Sequence, residues 1–272
     1  MIYMAKSPLN WIGGKFYIAK DIIQLFPQHQ TYVEGFGGAA WVLFTKEPSP
    51  IEVYNDIDSN LYNFFNVLRD NEKAQRLIEL LDLTLYSREE YYNCLKNLKT
   101  GKIKEFNDVE QARQFFVCCI QGFSGTIGGG WSYSIKHNRE PKGWLNKVNG
   151  LVEAIERFKS VQVEHLDIND LLLKYDTEDT LFYLDPPYVS DTRTKNIYCF
   201  EMSDDKHREM CEILLNVKGK VILSGYDNEI YKEILEANGW RKIVLKECTL
   251  RSQKKSRKDK KTEYVWVNYD VT

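Results

Sequence analysis

The amino-acid sequence carries little net charge of either sign, because 37 Lys and Arg residues stand against 39 Asp and Glu residues, for a net charge of −2 over 272 residues. A protein that binds a polyanion through bulk positive charge is therefore excluded. No apolar run approaches the roughly 18 residues that a membrane-spanning helix needs, so we expect no membrane protein. The first eleven residues lack the apolar core and the cleavage site of a secretory signal, so we expect a cytoplasmic protein.

The sequence also lacks cysteine patterns that bind metals or form disulfide frameworks. Six cysteines occur, but none belongs to a C-x-x-C pair or lies near a histidine at zinc spacing. We therefore expect no bound metal, and the thiols are typical of a reduced intracellular protein. With 43% hydrophobic residues, the chain can bury a sizeable core and has the length of one large α/β domain or of one domain with an insertion.

Strand and helix patterns alternate in two parts of the chain. A strand at 31–34 leads through a glycine turn into a helix at 41–46, and a second strand follows at 51–54. From about residue 150 the pattern resumes, with predicted strands at 161–166, 180–184, 220–224, 243–247 and 263–268 and predicted helices at 151–158, 167–174, 203–215 and 229–238. Such alternation predicts an α/β fold whose mostly parallel sheet is covered by helices on both faces.

The part between these two has a different texture. Apolar residues recur at helical spacing over 63–83, 89–98 and 110–121, and residues 122–131 are a glycine-rich stretch with aromatics, which predicts irregular structure. We therefore expect residues 1–62 and 150–272 to form one domain, with 63–149 inserted as a mostly helical region.

The first glycine turn is typical of a nucleotide site. Glu34 ends the first strand, Gly35-Phe36-Gly37-Gly38 follow, and Asp56 lies just past the second strand. Glycines let the backbone approach a ligand closely, and an acid about 20 residues further on can bind two ribose hydroxyls. Dinucleotide sites and S-adenosylmethionine sites share this pattern, and a plain strand-to-helix turn is a third alternative. Glu34 would repel a pyrophosphate but suits a sulfonium, which favours S-adenosylmethionine.

The Asp185-Pro186-Pro187-Tyr188 segment follows a buried apolar strand and is the most informative motif. Two prolines make a stiff, extended turn at the carboxyl end of a strand, where α/β proteins bind ligands. The Asp185 carboxylate and the Pro186 carbonyl can then accept both hydrogens of an exocyclic amine and stabilise the positive charge that develops on methylation. Tyr188 can stack on a base that has left the duplex. A rigid proline turn that caps a strand is the structural alternative.

These motifs, in this order, resemble the Dam-type DNA adenine-N6 methyltransferases. The resemblance covers nearly the whole chain, most weakly 65–149, and implies a Rossmann-like methyltransferase sheet with a helical target-recognition insertion. Asp185 through Tyr188 match the family's catalytic motif in full, and an aspartate in first place implies adenine N6 as the acceptor. Asp185 would also border the cofactor.

The resemblance further implies a set of ligands for S-adenosyl-L-methionine. Leu9 to Lys15 are similar to the family's W-x-G-G-K element, which places Trp11 and Lys15 at the cofactor. Residues 34–40 resemble its F-x-G-x-G motif, with Ala40 in place of the second glycine. The implied cofactor-binding residues are Trp11, Lys15, Glu34, Phe36, Gly38, Asp56, Asp167, Ile168 and Asp185. For Asp167, a helix N-cap is an equal alternative to a contact with the cofactor adenine.

The recognition region departs from the family, because the N-G-L-x-R-x-N pattern of enzymes that methylate GATC is missing and Gln121-Gly122-Phe123-Ser124-Gly125 stands in its place. The target sequence is therefore left open. Basic residues cluster at 251–261, and a second group at 136–147 includes Lys147. The residues that we expect to contact double-stranded DNA are Phe123, Trp131, Lys136, Arg139, Arg251, Lys254, Lys255, Arg257 and Lys258.

The sequence is thus interpreted as an S-adenosylmethionine-dependent, adenine-specific DNA methyltransferase of a bacterial or phage-infected cell, acting as a monomer or weak dimer. The alternatives are the same chemistry on cytosine N4 or on an RNA adenine, and a catalytically inactive DNA-binding regulator. A nicotinamide oxidoreductase fits least well, because nothing in the Asp-Pro-Pro-Tyr turn serves hydride transfer.

Overall fold

The computed structural model describes residues 5–189, 201–249 and 260–271, with the side chains of 246–249, 260 and 261 excepted. The strands within these residues are β1 (Thr31–Glu34), β2 (Ile51–Asn55), β3 (Val161–Glu164), β4 (Thr180–Leu184), β5 (Lys220–Gly225), β6 (Arg241–Thr249) and β7 (Lys260–Val267). They form a seven-stranded sheet in the order β3-β2-β1-β4-β5-β7-β6. β1, β2, β4 and β5 run parallel, whereas β7 pairs antiparallel with β5 and β6. The predicted mostly parallel α/β sheet is confirmed.

The helices within the described residues are α1 (Ala19–Ile23), α2 (Trp41–Thr45), α3 (Ser59–Arg69), α4 (Asn71–Asp82), α5 (Arg88–Thr100), α6 (Asp108–Gln121), α7 (Arg139–Asn149), α8 (Leu151–Phe158), α9 (Ile168–Tyr175), α10 (Asp204–Leu214) and α11 (Glu229–Ile234). The apolar pattern at 63–83 belongs to two helices, because the Asp70 carboxylate accepts hydrogen bonds from Glu72 N and Lys73 N and so caps α4 where α3 ends.

The chain divides into two compact units, which interleave along the sequence. The helical unit comprises Met1–Lys15, Gly38–Glu47 and Asp58–His165, and the sheet unit comprises Phe16–Gly37, Pro48–Ile57 and Leu166–Thr272. The division into a catalytic domain and an inserted recognition region concerns function and stays a prediction.

Aromatic rings form much of the core of the helical unit. Phe158 stacks on Phe65, with ring centroids 4.5 Å apart, and on Phe44 at 5.8 Å. Phe64 stacks on Phe116 of α6 at 5.9 Å, so α2, α3, α6 and α8 meet through flat side chains. Burial of four or five such rings contributes a large share of the unit's stability.

The sheet unit is built around the central strands β1, β4 and β5. β4 is buried along its whole length, as the unbroken apolar run Thr180–Leu184 predicts for a parallel strand covered on both faces. The sheet order reverses direction between β1 and β4, since β2 follows β1 on one side and β5 follows β4 on the other. Ligands of open α/β sheets bind at the carboxyl ends of the strands at such a point. Glu34 and Asp185 lie there, at and just past the ends of β1 and β4.

Candidate active site

Three carboxylates, those of Glu34, Asp185 and Glu263, make the carboxyl ends of the central strands electronegative. Glu34 is 2% exposed and accepts a 2.7 Å hydrogen bond from Tyr32 OH. Asp185 Oδ1 is shielded from solvent. Burial, and then the negative charges of Asp185, Glu34 and Glu263, raise the pKa of Tyr183 well above its ordinary value. This edge of the sheet unit is therefore electronegative, which suits a cationic ligand.

The tyrosine of the Asp-Pro-Pro-Tyr segment is held by two side chains. Tyr188 OH donates a 2.6 Å hydrogen bond to Glu263 Oε2 on β7, and its ring meets Tyr226 edge-on with centroids 4.5 Å apart. Burial, and then Asp185 and Glu263, raise the pKa of Tyr188 well above its ordinary value, so the phenol keeps its proton and can donate. Only 7% of Tyr188 is exposed. Its orientation is thus set by the protein before any base arrives.

The glycine turn after β1 has no room for side chains. A Cβ on Gly37 would lie 2.1 Å from Tyr54 Cε2, and one on Gly35 would lie 2.7 Å from Leu184 Cδ2. Gly35 N donates to Tyr183 O at 3.0 Å, and Gly37 N donates to Asn55 O at 2.8 Å. The turn is therefore pinned against the neighbouring strands, as a backbone that approaches a ligand must be.

Asn55 joins two segments with predicted cofactor roles. Its Nδ2 donates to Gly35 O at 2.9 Å and to Leu166 O at 3.2 Å, and its Oδ1 accepts from Leu166 N at 2.9 Å. The buried amide thus holds the glycine turn next to the residues that precede Asp167. Sequence reasoning did not single out Asn55, although it directly precedes Asp56 in the sequence.

The other predicted cofactor residues of the sheet unit are placed as follows. Asp56 is half-buried just past β2, Ile168 is buried in the core, and Phe36 packs against that core. Asp167 Oδ1 caps α9 by accepting from Asn169 N at 3.0 Å, and Lys206 Nζ lies 3.3 Å from Asp167 Oδ2. The N-cap interpretation of Asp167 is confirmed, and its contact with a cofactor stays a prediction.

The W-x-G-G-K element lies in the helical unit. A Cβ on Gly38, where φ is +49°, would lie 3.0 Å from Trp11 Cδ1, so the indole packs directly on that glycine. Lys15 Nζ donates a 3.0 Å hydrogen bond to the backbone carbonyl Gly13 O. Ala40, which replaces the family's second glycine, has a φ of +55° and keeps the left-handed conformation that glycine favours.

The glycine-rich stretch forms a tight hairpin loop, here called the recognition hairpin (residues 122–131). Gly122 and Trp131 are bridged antiparallel, and Phe123 N donates to Gly130 O at 2.9 Å. Trp131 stacks on Tyr133, with centroids 5.8 Å apart, and its Nε1 donates to Gln121 Oε1 at 3.3 Å. Trp131 therefore supports the base of the hairpin, whereas Phe123 is 51% exposed near its start.

An arginine that sequence reasoning missed lies on this aromatic pair. The Arg88 guanidinium carbon is 4.8 Å from the Trp131 ring centroid and 5.1 Å from that of Tyr133. The side chains of Arg88, Tyr133, Lys136 and Arg139 are all exposed. The glycine-rich stretch before Trp131 does not predict a contact with Arg88, because the two residues are 43 positions apart in the sequence.

Lys147 belongs to the basic group at 136–147 that was considered for DNA contacts, but its side chain makes contacts inside the protein. Its Nζ donates to Ser7 O at 2.8 Å and lies 5.3 Å from the Trp41 ring centroid. Burial, and then Lys6, lower the pKa of Lys147 to about 8. The side chain is thus an internal link between α7 and the segment before Trp11. The predicted DNA contacts Arg251, Lys254, Lys255, Arg257 and Lys258 lie outside the described residues.

Among residues 5–189, 201–249 and 260–271, no three His, Cys, Asp or Glu side chains are grouped so that they could hold a metal ion. Within the same ranges, no helix is both long enough and apolar enough to cross a bilayer.

An open α/β sheet with a glycine turn after its first strand and an electronegative Asp-Pro-Pro-Tyr turn beside it defines the class of amino-methyltransferases. Residues 11–249 match the family of D12 class N6 adenine-specific DNA methyltransferases, and the chain belongs to that family.

Relatives of this chain include a type II methyltransferase, a DNA adenine methylase and a phage DNA N-6-adenine-methyltransferase. It is 28% identical to the type II methyltransferase M1.LlaDCHI of Lactococcus lactis subsp. cremoris, over 96% of this chain and 94% of the relative. It is 24% identical to the DNA adenine methylase of Escherichia coli K12, over 83% of this chain and 82% of the relative. The DNA N-6-adenine-methyltransferase of Escherichia phage P1 is 23% identical over 75% of this chain and 27% of that longer protein.

Proposed function

We propose that the chain transfers a methyl group from S-adenosyl-L-methionine to the N6 amine of an adenine that has left the DNA duplex, within a specific sequence. The observation that carries this proposal is the partly buried, electronegative Asp185–Tyr188 turn at the carboxyl end of β4, in which Asp185 Oδ1 is shielded from solvent. Family membership supports the reaction and its adenine specificity. The extrusion of the base, the individual ligands and the target sequence go beyond that membership.

The residues of the sheet unit fit the proposed cofactor. The Glu34 and Asp185 carboxylates act together on Tyr183, so their field favours a cation. Gly35 and Gly37 let the backbone of the turn pack directly against Leu184 and Tyr54. When bound, S-adenosyl-L-methionine supplies an electrophilic methyl group on a positively charged sulfur. Glu34, Asp56, Asp167 and Ile168 are the proposed ligands here, with Phe36 packed behind the turn. Trp11, Lys15 and Gly38 of the helical unit keep the cofactor role that the family resemblance implies.

Asp185 and the first proline carry the proposed chemistry. An adenine amino group is a poor nucleophile, because its lone pair is delocalised into the ring. The Asp185 carboxylate and the Pro186 carbonyl would accept its two hydrogens, localise the lone pair on nitrogen and stabilise the positive charge as the new bond forms. Because two prolines fix the backbone of the turn, these acceptors need little reorganisation during the reaction. The Tyr188 ring, already oriented by Glu263, would align the base.

DNA would be bound by the exposed face of the recognition region. Phe123 is the proposed residue for the space left by the extruded base, and Lys136 and Arg139 for base edges or phosphates. Trp131 contributes by supporting Tyr133 and Arg88. The five basic residues of 251–258 would add phosphate contacts and a marked salt dependence. We place the enzyme with its DNA in the cytoplasm of a bacterial or phage-infected cell and expect a monomer or weak dimer.

The test is transfer of a labelled methyl group to DNA from a strain that lacks adenine methylation. Asp185→Ala should lower the first-turnover rate about 10²- to 10³-fold or more, because one of two preorganised acceptors is lost. Asp205→Ala on α10 is the matched control, since that carboxylate is exposed and has no assigned role. Full activity of Asp185→Ala would contradict the mechanism. Preferential transfer of the methyl group to RNA would show that RNA, and not DNA, is the substrate.

A further inference from the structure

A buried histidine contacts the catalytic turn from α10. His207 is 0% exposed, and its Nε2 lies 3.0 Å from Pro187 O. Its Nδ1 lies 3.0 Å from Tyr231 OH on α11. Pro187 is the second proline of the Asp-Pro-Pro-Tyr turn, and its carbonyl belongs to the peptide bond that leads into Tyr188. A three-part chain thus runs from Tyr231 through the imidazole to the turn.

The roles of the three groups follow from the chemistry of the carbonyl. Pro187 O can only accept, so His207 Nε2 must carry the proton. In a neutral imidazole the other nitrogen is then an acceptor, and Tyr231 OH donates to it. Burial raises the pKa of Tyr231 well above its ordinary value, so its hydroxyl keeps the proton that it donates. Tyr231 thereby selects the Nε2–H tautomer that Pro187 O requires.

The turn depends on such an external donor because of its own sequence. Pro186 and Pro187 have no N–H groups, so the turn cannot be closed by backbone hydrogen bonds from these positions. The flanking side chain, Tyr188, is fixed at its hydroxyl by Glu263. The bond from His207 holds the peptide plane, which the Cα and Cβ of Tyr188 connect to the ring that would align the base.

We propose that His207 is a positioning residue of the methyl transfer, which sets the peptide plane between Pro187 and Tyr188 through a tautomer that Tyr231 selects. This inference rests on the proposed function. The competing view is a satisfied core histidine, which would affect folding and leave the reaction unchanged. The two views differ in whether kcat responds separately from stability.

Four variants separate them. His207→Gln keeps a donor nitrogen at a similar reach, whereas His207→Met fills the space without a donor. Tyr231→Phe leaves the imidazole in place but removes the group that selects its tautomer. His29→Met is the matched control, because His29 also contacts a proline carbonyl, with its Nδ1 2.8 Å from Pro27 O, at the opposite ends of the strands.

The measurements are kcat and KM with unmethylated DNA, the affinity for S-adenosylhomocysteine, and thermal unfolding. His207→Met should lower kcat about 5- to 100-fold, with little change in KM or in the affinity for S-adenosylhomocysteine, because an unsatisfied buried carbonyl lets the turn move. His207→Gln should recover most of that loss, and Tyr231→Phe should lie between it and His207→Met. His29→Met should lose stability with kcat unchanged.

Nitrogen NMR of the imidazole gives a readout that needs no turnover. The wild type should show the Nε2–H tautomer at His207, and Tyr231→Phe should show a mixture. The inference is overturned if kcat is unchanged in a folded His207→Met, or if the wild type carries the Nδ1–H tautomer. If His207→Met does not fold, an unchanged kcat in Tyr231→Phe together with an unchanged tautomer overturns it as well. A wild type that methylates no DNA would instead refute the proposed function.

Discussion

The Asp185–Tyr188 turn and the recognition hairpin are both short irregular segments, but they are built in opposite ways. The turn is made of two prolines and two functional side chains, and it is held from outside by Glu263 and His207. The recognition hairpin is rich in glycine, closes on its own backbone between Phe123 and Gly130, and exposes half of Phe123. One segment is fixed before a substrate arrives, and the other presents an adaptable surface.

The difference reflects what each segment must do. Methyl transfer to a weak nucleophile depends on alignment within a fraction of an ångström, so its acceptors are best placed on a stiff turn at the end of a buried strand. Contact with a particular DNA sequence depends on side chains that follow the grooves, which loops supply more readily.

Glycine substitutions in the fixed glycine turn after β1, which lies at the same edge of the sheet as Asp185, and in the recognition hairpin should produce the largest contrast. Gly37→Ala would place a Cβ 2.1 Å from Tyr54 Cε2, and the buried ring has nowhere to move. We expect a loss of about 3 kcal/mol in the free energy of unfolding. Gly130→Ala meets open space and only the strain of a φ of +97°, so we expect a loss of about 1 kcal/mol. Chemical denaturation of both variants measures the two values.

Equal losses at the two glycines would break the contrast between a fixed turn and an adaptable hairpin. A loss larger at Gly130 than at Gly37 would contradict it outright. Binding of S-adenosylhomocysteine should weaken only in Gly37→Ala, which makes that affinity the second readout.

Removal of Arg88 should have a smaller effect, confined to DNA. Its guanidinium lies on Trp131 and Tyr133 and is exposed, so it can bind a phosphate while it stacks. Arg88→Ala should weaken binding of a random-sequence duplex about tenfold. It should also lower the salt slope, the steepness of log K plotted against log salt concentration, by about 1. Arg88→Lys keeps the charge but not the planar stacking, so it should retain the slope and lose about threefold. Fluorescence anisotropy at several salt concentrations measures both. A salt slope unchanged in Arg88→Ala would show that Arg88 does not contact DNA phosphates.

Lys147 should affect stability alone, visible as a dependence of the free energy of unfolding on pH. Its pKa is lowered from 10.5 to about 8 by burial and Lys6. Between these two pH values the unfolded chain binds more protons at this residue than the folded protein does. Stability therefore rises with pH across that window, by at most about 2 kcal/mol between pH 8 and 10.

Lys147→Met should flatten this rise, as measured by urea unfolding at pH 7, 8, 9 and 10. Lys142→Met on the same helix is the matched control, because Lys142 is exposed and should leave the slope unchanged. Equal slopes in wild type and Lys147→Met would show that Lys147 is not the group that titrates.

Much of the fold followed from local patterns. The strand Thr180–Leu184 and the helix Leu151–Phe158 were predicted to the residue, because a five-residue apolar run and a strongly amphipathic octamer leave few alternatives. The helix predicted from residue 203 begins at Asp204, and Ser203 is its N-cap, since its Oγ accepts from Lys206 N. The helix Arg139–Asn149 was not predicted; Pro141 lies in its first turn, where no N–H donor is needed.

The site was predictable where its residues are neighbours in sequence. Asp185 through Tyr188 and Glu34 were placed at the ends of adjacent strands, as the strand pattern implied. Glu263 and His207 were missed because they reach the turn from 75 and 20 residues away, and only the packing of β7 and α10 brings them there. Lys147 was grouped with surface lysines because a sequence does not show that a side chain will turn inward.

The most direct test of the account is the product itself. DNA that has been incubated with the wild type or with Asp185→Ala is digested to nucleosides and analysed by mass spectrometry. The account predicts N6-methyladenine with the wild type, about 10²-fold less or lower still in the same short incubation with Asp185→Ala, and no N4-methylcytosine with either. N4-methylcytosine as the product, or N6-methyladenine at wild-type yield from Asp185→Ala in a single turnover, would contradict it.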